Sequence, residues 1–224
     1  LVGESGSGKT TLGRTLLGLV PATEGSVTFE GEEITHMSER DLRAIRRRMQ
    51  IVFQDPHASL NPAMTIEQSV GHPLTIHRIA RGREYRQRVA ETLETVGLAP
   101  AEQFLEKYPS DLSGGQKQRA VLARAIILNP LLLVADEPVS MLDMSVRAKI
   151  LELMLNLKRE FGFTYLYITH DLATAKFFCD RIAILYLGRI VEIGPSSAIY
   201  EDPKHPYTKA LLKAIPEPDP LRSV

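Results

Sequence analysis

Short apolar runs alternate along the chain with longer stretches of helical periodicity. Ile51–Phe53, Leu131–Ala135, Thr164–Ile168 and Ile182–Leu187 predict strands. Glu84–Val96, Gln116–Leu128 and Ser145–Phe161 repeat their apolar residues at the spacing of one helix face. Strands separated by helices predict an α/β fold with a mostly parallel sheet covered on its faces. Ser26–Ile34, with Glu30-Gly31-Glu32 as its turn, predicts a small antiparallel β element instead.

Two regions depart from this alternation. From about 55 to 111 the β-branched runs thin out, and Pro56, Pro62, Pro73, Pro100 and Pro109 punctuate helical patterns. This predicts a helical subdomain inserted into the α/β core. From about 195 to 224, Pro195, Pro203, Pro206, Pro216, Pro218 and Pro220 mark short helices and a loose tail. One of these helices carries an apolar stripe at Leu211, Leu212 and Ile215.

Composition narrows the class. The 224 residues suffice for one sizeable α/β domain, and 44% hydrophobic with 24% charged residues is an ordinary globular balance. The 27 basic and 27 acidic side chains cancel, which argues against nucleic acid as a partner. No apolar run approaches the roughly 20 residues needed to cross a bilayer, so membrane attachment would have to run through another protein. Cys179 is the one cysteine, which rules out an internal disulfide or a cysteine metal cluster and fits a reducing cytosol. It reads as a small half-buried residue. Only Leu1 and Val2 precede the first motif, where a full strand is expected, so the chain reads as truncated at its N-terminus.

That motif is Gly3-Glu4-Ser5-Gly6-Ser7-Gly8-Lys9-Thr10, which matches G-x-x-x-x-G-K-[ST]. Its glycines let the backbone curl so that successive N–H groups point at phosphate oxygens. A helix predicted from Thr10, followed by Thr11, to about Leu19 adds its positive dipole end. Lys9 supplies a charge for the β- and γ-phosphates, and the Thr10 hydroxyl is a hard oxygen donor for Mg²⁺.

Leu131-Leu132-Leu133-Val134-Ala135 reads as a strand buried on both faces, and it ends in Asp136-Glu137. Ligands sit beyond the carboxyl ends of such strands. Asp136 is placed to hold Mg²⁺, and Glu137 to orient or deprotonate an attacking water. Leu112-Ser113-Gly114-Gly115-Gln116 opens a further helix, where Ser113 is an N-cap and the glycines form a second anion site. One ATP rarely needs two such loops from one domain. A two-fold dimer in which each loop serves a different ATP resolves this.

These motifs together resemble the ATP-binding subunits of ABC transporters, P-loop NTPases whose signature is LSGGQ. The resemblance runs from Gly3 to about Pro216 and makes the chain a single ABC ATPase domain. It implies that Gln54, after Ile51-Val52-Phe53, lies between Mg²⁺ and the transporter contact. It also implies that Ser140-Met141-Leu142-Asp143 is the D-loop, with Met141 where alanine is usual. Asp143 then belongs to the nucleotide site, and His170, in Ile168-Thr169-His170-Asp171, contacts the γ-phosphate. His36, His57, His72, His77 and His205 read as ordinary surface or core histidines. The aromatic residue that stacks on adenine would lie upstream of Leu1.

The wording of two segments resembles the oligopeptide and dipeptide importer ATPases, a subfamily shared with nickel importers. These are Gln54-Asp55-Pro56-His57-Ala58-Ser59-Leu60-Asn61-Pro62 and the HPYT-bearing tail from Asp202 to Leu212. The resemblance implies transmembrane permease subunits as partners, a second ATPase subunit bound head to tail, and indirectly an extracytoplasmic substrate-binding protein. It places the chain peripherally on the cytoplasmic face of the membrane. Two rival classes are chromosome-maintenance ATPases and translation-linked tandem cassettes. The first needs a long coiled coil between the two loops, where Thr11–Asp111 shows no sustained heptads. The second needs two cassettes in one chain.

Overall fold

The computed structural model describes residues 1–214. The chain divides into two compact units: Gly13–Leu166, and Leu1–Leu12 together with the chain from Tyr167 onward.

Helix α1 spans Lys9–Leu16 and stops short of the expected Leu19. Gly18 takes φ +63°, and the N–H groups of Gly18 and Leu19 turn back to the carbonyls of Thr15 and Arg14. That double bond pattern closes a helix at a left-handed residue. Strands β1 (Thr28–Phe29) and β2 (Glu32–Glu33) pair antiparallel, as expected. Their turn is tighter than expected: Glu30 and Gly31 alone make it, both at positive φ, and Glu32 already lies in β2.

Helix α2 (Glu39–Arg46) was not anticipated. Ser38 caps it by accepting from the Asp41 N–H, and only Leu42 and Ile45 are buried. Strand β3 (Met49–Val52) leads into α3 (Pro56–Ser59), α4 (Ile66–Ile76), α5 (Gly82–Thr95) and α6 (Glu102–Leu105). These helices fill the stretch in which a helical insertion is expected. Asp55 caps α3, and a reciprocal Thr65–Gln68 capping box starts α4. Helix α4 packs on α5 and on α7 (Gly114–Ile126), with Ile66, Val70, Leu74, Val89 and Leu93 fully buried. Each such side chain contributes roughly 1.5–3 kcal/mol to stability.

Strand β4 (Leu132–Asp136) runs parallel to β3, with Gln50 opposite Leu133 and Val52 opposite Ala135. Leu133, Val134 and Ala135 are 0% exposed, as a strand covered on both faces requires. Helix α8 (Met144–Phe161) ends at Gly162, which is left-handed. Strand β5 (Thr164–Ile168) completes the sheet in the order β3-β4-β5.

In the other unit, Val2 bridges in parallel to Thr169, just past β5, and to Ile184. Helix α9 (Leu172–Phe178) is capped by Asp171. Strand β6 (Arg181–Tyr186) pairs antiparallel with β7 (Arg189–Pro195), a strand that the apolar pattern did not predict. Helices α10 (Ser196–Glu201) and α11 (Pro206–Lys213) follow. Val2, Leu172, Ala175, Ile182, Ile184 and Ile199 form the core of this unit, and Tyr207, Leu211 and Leu212 pack against it. Ile215, Pro216, Pro218 and Pro220 lie outside the described residues.

Candidate functional site

The first loop turns on left-handed glycines and opens a helix. Gly6 and Gly8 adopt φ +82° and +98°, a region that a side chain would strain, and α1 begins at Lys9. The first turn of α1 carries no acidic residue to compete for its N–H groups. Gly3 approaches β6 so closely that a Cβ would collide with the Leu185 carbonyl oxygen. Ser7 is 7% exposed, and its buried hydroxyl has no hydrogen-bond partner within the protein. An unpartnered buried hydroxyl at the start of a helix fits a polar or anionic ligand.

Lys9 is 5% exposed, and its ammonium curls back onto the loop. It donates to the carbonyls of Gly3 at 2.7 Å and Glu4 at 2.8 Å. The Ser7 N–H donates to the Glu4 carbonyl at 3.2 Å, closing the turn. The backbone N–H of Glu4 donates to the Tyr207 hydroxyl at 3.2 Å, a contact across 203 residues of sequence. Ser5 and Gly6 are exposed, Thr10 half-buried and Thr11 exposed. In the same unit His170 sits exposed just past β5, next to Thr169, whose N–H donates to the Leu1 carbonyl at 3.1 Å.

The other unit carries the carboxylates and the second loop. Asp136 ends β4 and is 5% exposed. Glu137 follows at φ +48°, a left-handed conformation that is costly for a residue with a Cβ. Such strain persists where the surroundings hold it, and it clusters at working sites. The Gln54 side-chain amide donates to the Glu137 carboxylate at 3.4 Å, so these two predicted residues are brought together.

Ser113 and Gln116 form the reciprocal capping box that S-x-x-Q announces. The first turn of α7 is also free of acidic residues. Gly114 lies against Leu142, and a Cβ on Gly115 would come within 2.8 Å of Val146 Cγ1. The missing side chain on Gly115 therefore lets the second loop lie close to the first turn of α8. Asp143 stands at the N-cap position of α8, flanked by Met141 and Met144 at 62% and 84% exposure.

Mg²⁺ requires hard oxygen ligands and keeps several from water or substrate phosphates. The donor chemistry of the Thr10 hydroxyl, the Gln54 amide oxygen and the Asp136 carboxylate fits that requirement. No group of three or more His, Cys, Asp or Glu that could hold a metal ion occurs among the described residues.

Sequence reasoning missed two contacts. His57, read as an ordinary surface histidine, meets Lys117 on α7, with Nδ1 3.3 Å from Nζ. Tyr207 stands in the HPYT wording of the tail, and no local pattern ties it to Glu4. The HPYT tetrad was the available signal.

A glycine-rich loop feeding a helix, in a chain that also carries a parallel sheet whose central strand ends in acids, is the signature of a P-loop NTPase of the α/β class. A sequence profile described as ABC transporter matches residues 1–140, and the oligopeptide/dipeptide transporter C-terminal region matches residues 191–223. The chain belongs to the ABC transporter family. It is 50% identical over 222 residues to the glutathione import ATP-binding protein GsiA of Escherichia coli, covering 99% of this chain and 35% of that protein. The GsiA of Pectobacterium atrosepticum is 48% identical with the same coverage. The chain thus spans about a third of the length of the curated relatives it matches. Among solved structures, the dimeric bacterial ABC transporter cassette MJ0796 matches with TM-score 0.76 at 34% identity, over 87% of this chain and 83% of that one. A dimeric post-hydrolysis state of MJ0796 bound to ADP and Pi matches with TM-score 0.75. Among the described residues no helix is long and apolar enough to cross a membrane.

Proposed function

We propose that the chain binds and hydrolyses ATP and thereby powers import, with peptides or peptide-like molecules as the cargo. The observation that carries this reading is the phosphate loop. Its positive-φ glycines, its buried Lys9 and the acid-free start of α1 suit a phosphate, and the second loop at Ser113–Gln116 likewise opens a helix whose first turn carries no acid. The match at residues 191–223 and the glutathione importers among the relatives support the peptide-type cargo.

In this reading Gly3 through Thr11 hold the phosphates of one ATP, with Lys9 neutralising charge. Ser113, Gly114, Gly115 and Gln116 cap the γ-phosphate held by a second subunit, and Asp143 lines the same junction. Thr10, Gln54 and Asp136 hold Mg²⁺, which neutralises phosphate charge when bound. Glu137 orients and deprotonates water, and His170 contacts the γ-phosphate. ATP touches both subunits and so favours the closed pair, while its loss favours opening. The dimeric cassettes among the structural neighbours support this arrangement. The segment after Gln54 carries the motion to transmembrane permease subunits, and an extracytoplasmic binding protein delivers cargo to them. The ATPase then lies on the cytoplasmic face as a peripheral subunit.

The test is ATP turnover by the chain with Mg²⁺, beside Lys9→Ala. Mg²⁺-dependent phosphate release that Lys9→Ala abolishes supports the reading. Release that survives the substitution overturns it.

A further inference from the structure

The C-terminal region is fastened to its own unit with unusual definition. Glu192 on β7 accepts the N–H groups of Lys204 at 2.8 Å and His205 at 3.0 Å. The His205 ring then caps α11, its Nδ1 accepting the Tyr207 N–H at 3.2 Å, with Pro206 in the first turn. Those contacts set the direction of Tyr207. Its ring lies 4.2 Å from that of Tyr186, tilted by 35°, and its hydroxyl reaches the N–H of Glu4.

The peptide unit joining Gly3 to Glu4 is consequently held from both sides. Its carbonyl accepts the Lys9 ammonium at 2.7 Å, and its N–H donates to Tyr207 at 3.2 Å. A trans peptide is planar, so fixing the direction of the N–H fixes the direction of the carbonyl opposite. The chain of hydrogen bonds runs from Lys9 through one amide to Tyr207, and polarisation along it strengthens each bond. A second tie lies beside it, where the Gly188 N–H donates to the Ser7 carbonyl at 3.2 Å.

We infer that Tyr207 is a positioning residue of the nucleotide site, its hydroxyl orienting the Gly3–Glu4 peptide and through it the Lys9 ammonium. The inference rests on the reading of the loop as a phosphate site. It gives the C-terminal region a task inside the cassette: the docking of α11 sets how well the loop is ordered before ATP arrives. A net neutral hydrogen bond corresponds to about a 2- to 10-fold change in an equilibrium constant.

Calorimetry of the full 224-residue chain with ATP and with ADP tests this, using the unsubstituted protein, Tyr207→Phe and Lys9→Ala. Tyr207→Phe keeps the ring and its packing on Tyr186 and removes only the hydroxyl. The expected result is a thermal midpoint without nucleotide lowered by no more than about 2–4 °C and about 2- to 10-fold weaker binding of both nucleotides. The Glu4 amide resonance in a ¹⁵N–¹H spectrum should also shift in Tyr207→Phe without nucleotide, which a mere packing role would not produce. Unchanged affinities, or an unmoved Glu4 resonance, would overturn the inference. If the unsubstituted chain binds neither nucleotide, or Lys9→Ala binds as well as it does, the phosphate-site reading fails instead.

Discussion

The side-chain amide of Gln54, past the end of β3, donates to the carboxylate of Glu137, past the end of the neighbouring strand β4, at 3.4 Å. Glu137 is meanwhile held at φ +48°. One acid thus has its backbone turned by local strain and its side chain met by a neutral amide. An amide donor orients a carboxylate without adding a positive charge, which would suit the proton-accepting role proposed for Glu137.

The first prediction follows. Glu137→Gln keeps the size and the hydrogen-bonding reach of the side chain and removes its basicity. Nucleotide affinity should stay within a few-fold, while turnover falls by about 10²–10⁴, the range of a general base. The substituted protein should accumulate as an ATP-bound dimer on size exclusion. Turnover within a few-fold of the parent would remove Glu137 from the chemistry.

How much of this was legible beforehand depends on the range of the cause. β4 was readable because Leu133, Val134 and Ala135 are buried on both faces, leaving an unbroken apolar run. The capping box was readable because Ser113 and Gln116 lie three residues apart. Strand β7 was hidden because Ile190 and Ile193 are 51% and 58% exposed, so its apolar residues do not report one buried face. Helix α2 was hidden because it buries only Leu42 and Ile45 among charged neighbours. The tie between Glu4 and Tyr207 had no local trace at all, since tertiary packing alone brings them together. The left-handed turn at Glu137 was equally silent, because the residue type gives no cue for it.

The second prediction concerns the loop at the start of α7. Ser113 is exposed, and the first turn behind it carries no acid. Ser113→Arg places bulk and a long side chain where the partner's γ-phosphate would dock, and it also removes the cap, at a cost of about 1 kcal/mol. ATP binding by a single subunit should survive while ATP-driven dimerisation is lost. Ser113→Ala, which loses the cap alone, separates the two effects. Normal dimerisation by Ser113→Arg would defeat the head-to-tail model.

The third prediction is one of stability. A Cβ on Gly71 in α4 would come within 2.3 Å of Cζ and the hydroxyl oxygen of Tyr85 on α5, and the Tyr85 hydroxyl donates to the Glu67 carbonyl at 3.0 Å. Moving the ring would strain that hydrogen bond. Gly71→Ala gains about 0.8–1 kcal/mol of helix propensity, but overpacking costs about 1–3 kcal/mol. The net change should be destabilising in urea unfolding. With Tyr85→Leu already present, the same Gly71→Ala change should turn neutral or stabilising. A penalty that persists in that background would mean that the ring is not its cause.

The last prediction concerns pH. Burial pushes the Glu192 carboxyl up, but the Lys204 N–H, the Thr208 hydroxyl, the His205 N–H and the His205 charge together hold its pKa below the ordinary value of 4.5. A carboxyl depressed in the folded state stabilises its contacts above the unfolded pKa and loses that contribution as pH falls through the folded pKa. The clamp on the 204–205 turn should therefore be intact at neutral pH and weaken only below about 4.5, close to the unperturbed glutamate range. Amide resonances of Lys204 and His205, followed from pH 7 to 3, should titrate together with a midpoint below that value. Glu192→Gln should abolish the titration at both amides. The same substitution at neutral pH should move the Glu4 resonance, because the clamp sets the direction of Tyr207. A midpoint at or above the ordinary glutamate value would show that these hydrogen bonds do not hold the turn.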